Sequence, residues 1–417
     1  MNLRFLTDSK IDRFKVAAVA LLNLGTFSWF FIFIFCSEDI FAVLTPNTPG
    51  WGPIVGNSLF YGFTIFWAIA ISFIGRKINR RKLLYTSIIL GIFSTIPMAF
   101  LEGPFSASIL LSLMGTSLGL GMPSSTALVA DYTVIENRGR VSGTIVLGTF
   151  IIAFASLGIY WMINLGILGL ILVLVAVRLI SLFALVIGKL GRALTAAEKN
   201  IRLPHTAYRE FLFYISPWIM FTIASSLARN LITATSLGSE VELVEGAYIG
   251  DRLRYVFIAV FGLAAGFIAD KFGRKQPIIL GIATFGIGYL LLGFSMGEIA
   301  VNIYYALSGI TWGLFFVVFL AVLGDLSTPI LREKFYALGY ILPITALFAI
   351  SAVPVEDIGE ILGAPIIAQI IGGCLFLSMY PVFRAKETLT ERKARERRMK
   401  EYAERLGKTI QKTEENQ

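Results

Sequence analysis

Apolar stretches of about 20 residues recur twelve times along this chain, each long enough for an α-helix to cross about 30 Å of hydrocarbon. The first six are expected at Phe14–Phe35, Pro53–Ile74, Leu83–Leu101, Ser106–Val129, Val141–Trp161 and Ile167–Gly188. The second six are expected at Phe211–Arg229, Gly250–Ala269, Pro277–Phe294, Ile299–Leu323, Ala337–Val353 and Gly363–Tyr380. A chain built this way is an all-α integral membrane protein. The residue balance agrees: only 15% of the residues are charged, against about 25% in a soluble domain.

Lys and Arg fall on alternate connections. The stretch from Cys36 to Gly50 has none but carries Glu38 and Asp39, and between Asn230 and Ala247 the only charges are Glu240, Glu242 and Glu245. Arg76 to Lys82, Arg138 with Arg140, Lys189 to Arg202, Lys271 to Lys275 and Arg332 to Lys334 occupy the other side. The positive-inside rule then puts both termini in the cytoplasm, and the plasma membrane is the expected location. The net charge of +9 is no sign of nucleic-acid binding, because the cations border apolar runs instead of forming one face. Cys36 and Cys374 have no metal-like spacing and read as small apolar fillers. His205 lies in a polar loop and reads as solvated. A cleavable signal is not expected.

The stretch Gly266-Phe-Ile-Ala-Asp270-Lys-Phe-Gly273-Arg274-Lys275 reads as a tight basic turn between two spans, with Gly273 free to take a positive φ. A sister, Ser72-Phe-Ile-Gly-Arg76-Lys-Ile-Asn79-Arg80-Arg81, lies 194 residues earlier, with Arg76 in place of the acid. Asn79 is expected in the left-handed position that Gly273 takes. At the same spacing Gly115-x-x-x-Gly119 matches Gly309-x-x-x-Gly313, Asp131 matches Asp325, and Arg138 matches Arg332. Four features at one offset imply two six-helix halves related as parallel repeats.

The turn motif resembles the signature loop of the major facilitator superfamily of transporters, and the resemblance covers nearly the whole chain. It implies twelve transmembrane helices in two pseudo-symmetric six-helix bundles, residues 1–188 and 211–383. A cytoplasmic linker is expected at 189–210 and a charged tail helix at 384–417, where Met399, Tyr402, Leu406 and Ile410 form a thin apolar stripe. A solvated tail near anionic head groups and a partner-binding helix both fit it. The resemblance also implies a gating role for Arg80, Asp131, Arg138, Asp270, Gly273, Arg274, Asp325 and Arg332, which would lock the cytoplasmic helix ends together. Positive-inside anchoring with incidental ion pairs is the plainer alternative.

Helices that line the pathway in that family give the candidate cavity residues. In the first half these are Asn23, Thr26 and Trp29, then Asn57, Tyr61 and Thr116. In the second half they are Trp218, Thr222, Ser225, Ser226, Arg229, Arg254, Tyr255, Trp312 and Thr345. Arg229 and Arg254 are placed to attract an anionic group at the mouth, unless they pair with Glu240, Glu242 or Glu245. Arg178, mid-way along the sixth span, is either a buried functional charge or a cation that snorkels to the basic side. The glycine pairs are expected to serve close helix contact, and Pro123, Pro217 and Pro343 to bend their spans.

Several signatures are missing. The middles of spans one, four and seven hold no acid, span five lacks the Gly-Pro run of drug–proton antiporters, and a P-loop is absent. Sugar-porter signatures survive only as an echo in Lys386-Glu387-Thr388. The expected function is secondary active or facilitative transport of a small organic solute by alternating access, an anionic metabolite being favoured. Sugar uptake, drug export and a transporter-like sensor are the rivals. A proton or sodium ion is left open as coupling partner. Membrane lipids are expected partners; no nucleic acid, metal, cofactor or enzymatic role is, and the chain is expected to be a monomer.

Overall fold

The computed structural model describes residues 12–48, 50, 52–74, 78–163, 166–191, 206–237, 242–350 and 363–389. The described residues of the first half form α1 (Arg13–Phe35), α2 (Ser37–Leu44), α3 (Asn57–Ile74), α4 (Arg80–Thr95), α5 (Pro104–Tyr132), α6 (Ile135–Ile163) and α7 (Gly166–Ile187). The second half forms α8 (Thr206–Leu237), α9 (Glu242–Phe272), α10 (Lys275–Phe294), α11 (Glu298–Leu326), α12 (Arg332–Ile350), α13 (Ala364–Leu377) and α14 (Met379–Arg384). Eleven spans in the described residues are long and apolar enough to cross a membrane. The remaining expected span lies on α12 and runs past Ile350 into residues outside the described set. His205, Arg76 and the tail from residue 390 also lie outside it. The helix α8 begins at Thr206, inside the expected linker.

Two helices, α5 and α11, form the spine of their halves and bury most of their length. Each packs against its neighbour through the expected glycine pair. A Cβ on Gly115 would meet the Phe60 carbonyl oxygen at 2.3 Å, and one on Gly119 the Thr64 carbonyl at 2.5 Å. In the second half Gly309 and Gly313 meet the carbonyls of Arg254 and Ile258 at 2.4 and 2.6 Å. Every residue in these four contacts is shifted by 194, so the repeat read in the sequence is also a repeat of backbone contact. Close approach of this kind replaces the hydrophobic drive that lipid removes between helices.

Outward faces carry large apolar side chains, among them Phe66, Phe73, Phe93, Phe183 and Phe294. Helices that are apolar both inside and outside suit lipid on one side and packed protein on the other. The halves meet chiefly where α6 crosses α9 and α3 crosses α12. Glycines make the first crossing close, since a Cβ on Gly143 would meet the Gly262 carbonyl at 2.9 Å and one on Gly266 the Gly139 carbonyl at 2.5 Å.

Candidate functional site

An ionic clasp joins the halves at their basic end. Asp131, at the end of α5, is shared by Arg80 of its own half and Arg332 of the other. The Arg80 Nε also donates to Glu333 at 2.6 Å. Asp325, at the end of α11, is shared by Arg138 across the halves and by Arg274 at 2.9 Å. The Arg274 Nη1 reaches Asp270 at 2.6 Å. Asp270 in turn accepts the backbone N–H groups of Gly139 and Arg140 in the opposite half, both at 2.9 Å. The eight expected gating residues therefore come together, in two crossed clusters of matched design.

Three features of the clasp differ from the sequence reading. Asn79 does not take the left-handed conformation. With φ −68° it caps α4 instead, accepting the Arg81 N–H at 3.0 Å, whereas Gly273 has φ +109°. The first cluster closes although Arg76 replaces an acid in its motif, because Glu333 supplies a carboxylate to Arg80. Glu333 stands 194 residues after Gly139, so the asymmetry of one repeat is compensated in the other. Finally, the faint Lys386-Glu387-Thr388 echo is seated in the clasp. Glu387 accepts the backbone N–H groups of Arg274 and Lys275 at 2.8 and 3.2 Å, an anion at a helix N-terminus. Thr388 donates to Asp325 at 3.2 Å, and Glu210 accepts the Lys386 N–H at 2.6 Å. Glu210, Glu333, Glu387 and Arg140 carried no signal in the sequence, because their partners lie on distant helices.

Burial opposes the charge on Arg274, but Asp325 and Asp270 outweigh it and hold the guanidinium protonated above its usual range. The second cluster is also the drier one. Side chains of Arg274, Asp270 and Asp325 are 0% exposed, while Asp131 keeps 20%.

Away from the clasp, toward the acidic connections, a cavity of about 270 Å³ lies between the halves. The first half contributes an apolar wall, chiefly Phe27, Phe30, Phe31 and Phe35 of α1 with Leu118 and Met122 of α5. The second half contributes Trp218 and Trp312 together with a polar arc, Thr222, Ser225, Ser226, Arg254 and Tyr255. Tyr61 of α3 also lines it. Phe35 meets Tyr255 edge-on at 4.5 Å, and Phe27 meets Phe316 at 5.1 Å, so aromatic contacts cross between the halves at the cavity.

Among the candidate cavity residues, Tyr61, Trp218, Thr222, Ser225, Ser226, Arg254, Tyr255 and Trp312 line the cavity. Asn23, Thr26 and Trp29 do not. They are buried at 0–2% exposure within the first half. Asn23 donates to the carbonyls of Val19 and Ser125. Thr26 and Trp29 attend to Arg178: its Nη1 donates to the Thr26 hydroxyl at 3.2 Å and its guanidinium sits 4.8 Å from the Trp29 ring. The polar face of α1 is therefore turned inward by a charge on α7, and the phenylalanine face is left for the cavity. Arg178 does not snorkel. It is 0% exposed, with Nη2 donating to the hydroxyls of Ser87 and Ser117 at 3.1 and 3.0 Å. Thr116 is turned back onto Ser112. Asn57 is half-buried and lies outside the cavity lining. The side chain of Arg229 lies outside the described residues.

No known family profile matches the chain. A 97-residue stretch, 23% of this chain and 24% of the relative, is 30% identical to an uncharacterized MFS-type transporter of Methanocaldococcus jannaschii. Solved structures match over most of the chain. FucP, a major facilitator in the outward conformation, aligns with a TM-score of 0.70 at 11% identity, covering 89% of this chain and 98% of that one. The human organic anion transporter MFSD10 aligns at 0.66 and 15% identity, covering 89% and 99%. The proton:xylose symporter XylE aligns at 0.65 and 16% identity, covering 90% and 96%. Two repeated helical halves, a clasp at one end and a cavity between them define a polytopic membrane protein of two-half construction. Its fold is the major facilitator fold.

Proposed function

We propose that the protein is a secondary active or facilitative transporter that moves a small organic solute by alternating access, with an anionic metabolite favoured. The observation that carries this reading is the placement of the cavity. It lies between the halves and on the side away from the clasp, so that breaking the clasp and closing the aromatic contacts would expose the same space to the opposite face. The charge count of the connections places the clasp in the cytoplasm, and the structure then corresponds to a state closed on that side. Arg254 as a cavity-lining cation favours an anion over a neutral sugar or a cationic drug.

The test has two stages. Detergent-purified protein is melted in the presence of sugars, carboxylates, phosphorylated metabolites, amino acids or cationic drugs. A ligand at 100 times its dissociation constant adds about 2.7 kcal/mol of stability, which is readily seen. Whichever compound raises the melt is then supplied, radiolabelled, to proteoliposomes preloaded with the unlabelled compound. Counterflow above protein-free vesicles is the expected result. Binding with no counterflow would sink the transport reading and leave a sensor.

A further inference from the structure

The polarity of the cavity is one-sided. Across the first-half wall the only polar lining side chain is Tyr61; the remainder, from Phe27 to Met122, is aromatic and aliphatic. The second half supplies Thr222, Ser225, Ser226 and Arg254 on two adjacent helices. Among the described lining residues Arg254 is the one charge, and none is an acid. Its guanidinium lies 4.8 Å from the Tyr255 ring and 5.7 Å from that of Tyr305, and Nη2 donates to the Tyr255 hydroxyl at 2.7 Å. The planar fork is thus held with its stem packed, as a bidentate partner for a carboxylate requires. Ser225, one turn from Phe221, has a buried hydroxyl with no partner among the described residues.

We propose that this cavity takes an amphipathic organic anion. Its carboxylate or similar group would be held by Arg254 and Ser225 of the second half, and its aromatic or branched apolar body would lie against the phenylalanine wall of the first. The inference rests on the reading of the cavity as the solute site and adds the class of solute. A sugar fits poorly, because hydroxyls turned toward the first half would be desolvated with almost nothing to bond, and unmet buried hydroxyls are costly. A cation meets Arg254 and no compensating acid. An inorganic anion leaves the aromatic wall unused. The cavity is at the small end of ligand sites, which run from about 300 to 1,000 Å³, so a body of one or two rings is the expected size. The geometry also assigns the two halves different duties: one keeps the charge, and the other slides an apolar surface over the body.

The experiment uses the full-length protein in detergent with matched probes: phenylacetate and naphthylacetate, their neutral amides, acetate, and phenethylammonium. Binding is read by melting temperature and by quenching of tryptophan fluorescence, since Trp218 and Trp312 stand in the wall. The expected result is that the aryl carboxylates bind about tenfold or more tightly than the amides, a difference of about 1.4 kcal/mol or more. Acetate and phenethylammonium should give no signal at the same concentration. Arg254→Gln should bring acid and amide to equal affinity, whereas Phe31→Ala should weaken both by the same factor. Ser225→Ala, which removes only an unpartnered hydroxyl, should weaken the acid alone and serves if Arg254→Gln does not fold. Amides or the ammonium binding as well as the acids, silence from both aryl carboxylates, or an acid preference that survives both Arg254→Gln and Ser225→Ala would each overturn the proposal. Failure of transport itself is separable: aryl carboxylate binding without counterflow removes the transport reading and keeps the ligand class. Counterflow of some other solute with no aryl carboxylate binding does the reverse.

Discussion

In the first half Ser117 donates its hydroxyl to the Ser87 carbonyl at 2.7 Å, and 194 residues later Thr311 donates to the Gly281 carbonyl at 2.9 Å. The same two helices touch at the same point in both halves, yet the space around that point is filled in opposite ways. In the first half Ser87 lies against Gly121, and Arg178 reaches in from α7. In the second half the small residue has changed sides. Gly281 lies against Phe315, Phe285 stands where Gly91 does, and Gly372 takes the place of Arg178. Phe221, Phe285 and Phe315 pack there with ring centroids 4.7 and 5.1 Å apart. Helix contact is thus preserved by duplication while the filler is free to diverge. One core is a buried cation in a cage of hydroxyls; the other is an aromatic stack.

The largest expected effect tests the cation. The hydroxyls around Arg178 do not depend on it, because Thr26, Ser87 and Ser117 each already donate to a backbone carbonyl. Arg178→Ala empties a long side chain's volume and removes the contact with Trp29, and should cost about 3–5 kcal/mol, as large-to-small core changes do. Arg178→Met refills most of the volume without a charge, and a buried charge replaced by a well-packed apolar group is often close to neutral, within about 1 kcal/mol. Melting curves of the two variants decide between volume and charge. If Met proves as damaging as Ala, the first core is held by its charge and the contrast with the aromatic core deepens.

The clasp offers the next comparison, between a dry cluster and a wetter one. Asp325→Asn leaves Arg138 and Arg274 buried without their shared carboxylate, and loss of one partner from a buried ion pair costs about 3–5 kcal/mol. Asp131→Asn acts at a site with 20% exposure, where water takes up part of the loss, so about 1 kcal/mol is expected. Both should loosen the closed state, Asp325→Asn more. The readout is reaction of a cysteine placed at Ala337, buried where α12 meets α3, with a membrane-impermeant maleimide. Equal acceleration by the two variants would show that burial does not rank the clusters.

Much of this architecture could be read from residue order. Span length, the alternation of cations, and the offset of 194 place the helices and name both halves of the clasp. What could not be read is which way a polar face turns. Asn23, Thr26 and Trp29 lie on one side of α1, and amphipathic spacing marks that side as different without saying what it meets. A charge on α7, five spans later, claims it, and the residues that look least like a binding face, Phe27, Phe30 and Phe31, become the wall. Glu333 and Glu387 were hidden for a related reason. A carboxylate that completes another helix's cluster has no local pattern, since its partner is fixed by the fold and not by spacing.

The glycine contacts should break alike in both halves, because here the repeat has not diverged. Gly115→Ala drives a Cβ to 2.3 Å from the Phe60 carbonyl oxygen and Gly309→Ala to 2.4 Å from that of Arg254. Neither backbone can yield without parting the helices, so each should cost about 1–3 kcal/mol, the usual range for overpacking. The prediction is near-equality of the two melting shifts. A much smaller shift for Gly309→Ala would mean that α9 moves away from α11 more readily than α3 does from α5, and the two halves would then differ in their backbones as well as in their fillers.

The smallest effect separates the two cysteines, one in each half. Cys36 closes the end of α1 and is buried; burial first, and Asp39 second, push its thiol up to about 12. Because a thiol attacks as its thiolate and the pKa is raised, the reactive form is scarce at every pH below about 12 and gains little between pH 7 and 9. Cys374 on α13 is exposed. Brief treatment of the detergent-solubilised protein with N-ethylmaleimide at pH 7.5 should therefore modify Cys374 and leave Cys36, as located by mass spectrometry of the digest. Raising the pH to 9 should change the Cys36 result little, whereas unfolding before treatment should expose it. Labelling of Cys36 in the native protein at the rate of Cys374 would show that the corner between α1 and α2 opens, and since Phe35 next to it is the residue that meets Tyr255, the aromatic contact across the cavity mouth would open with it.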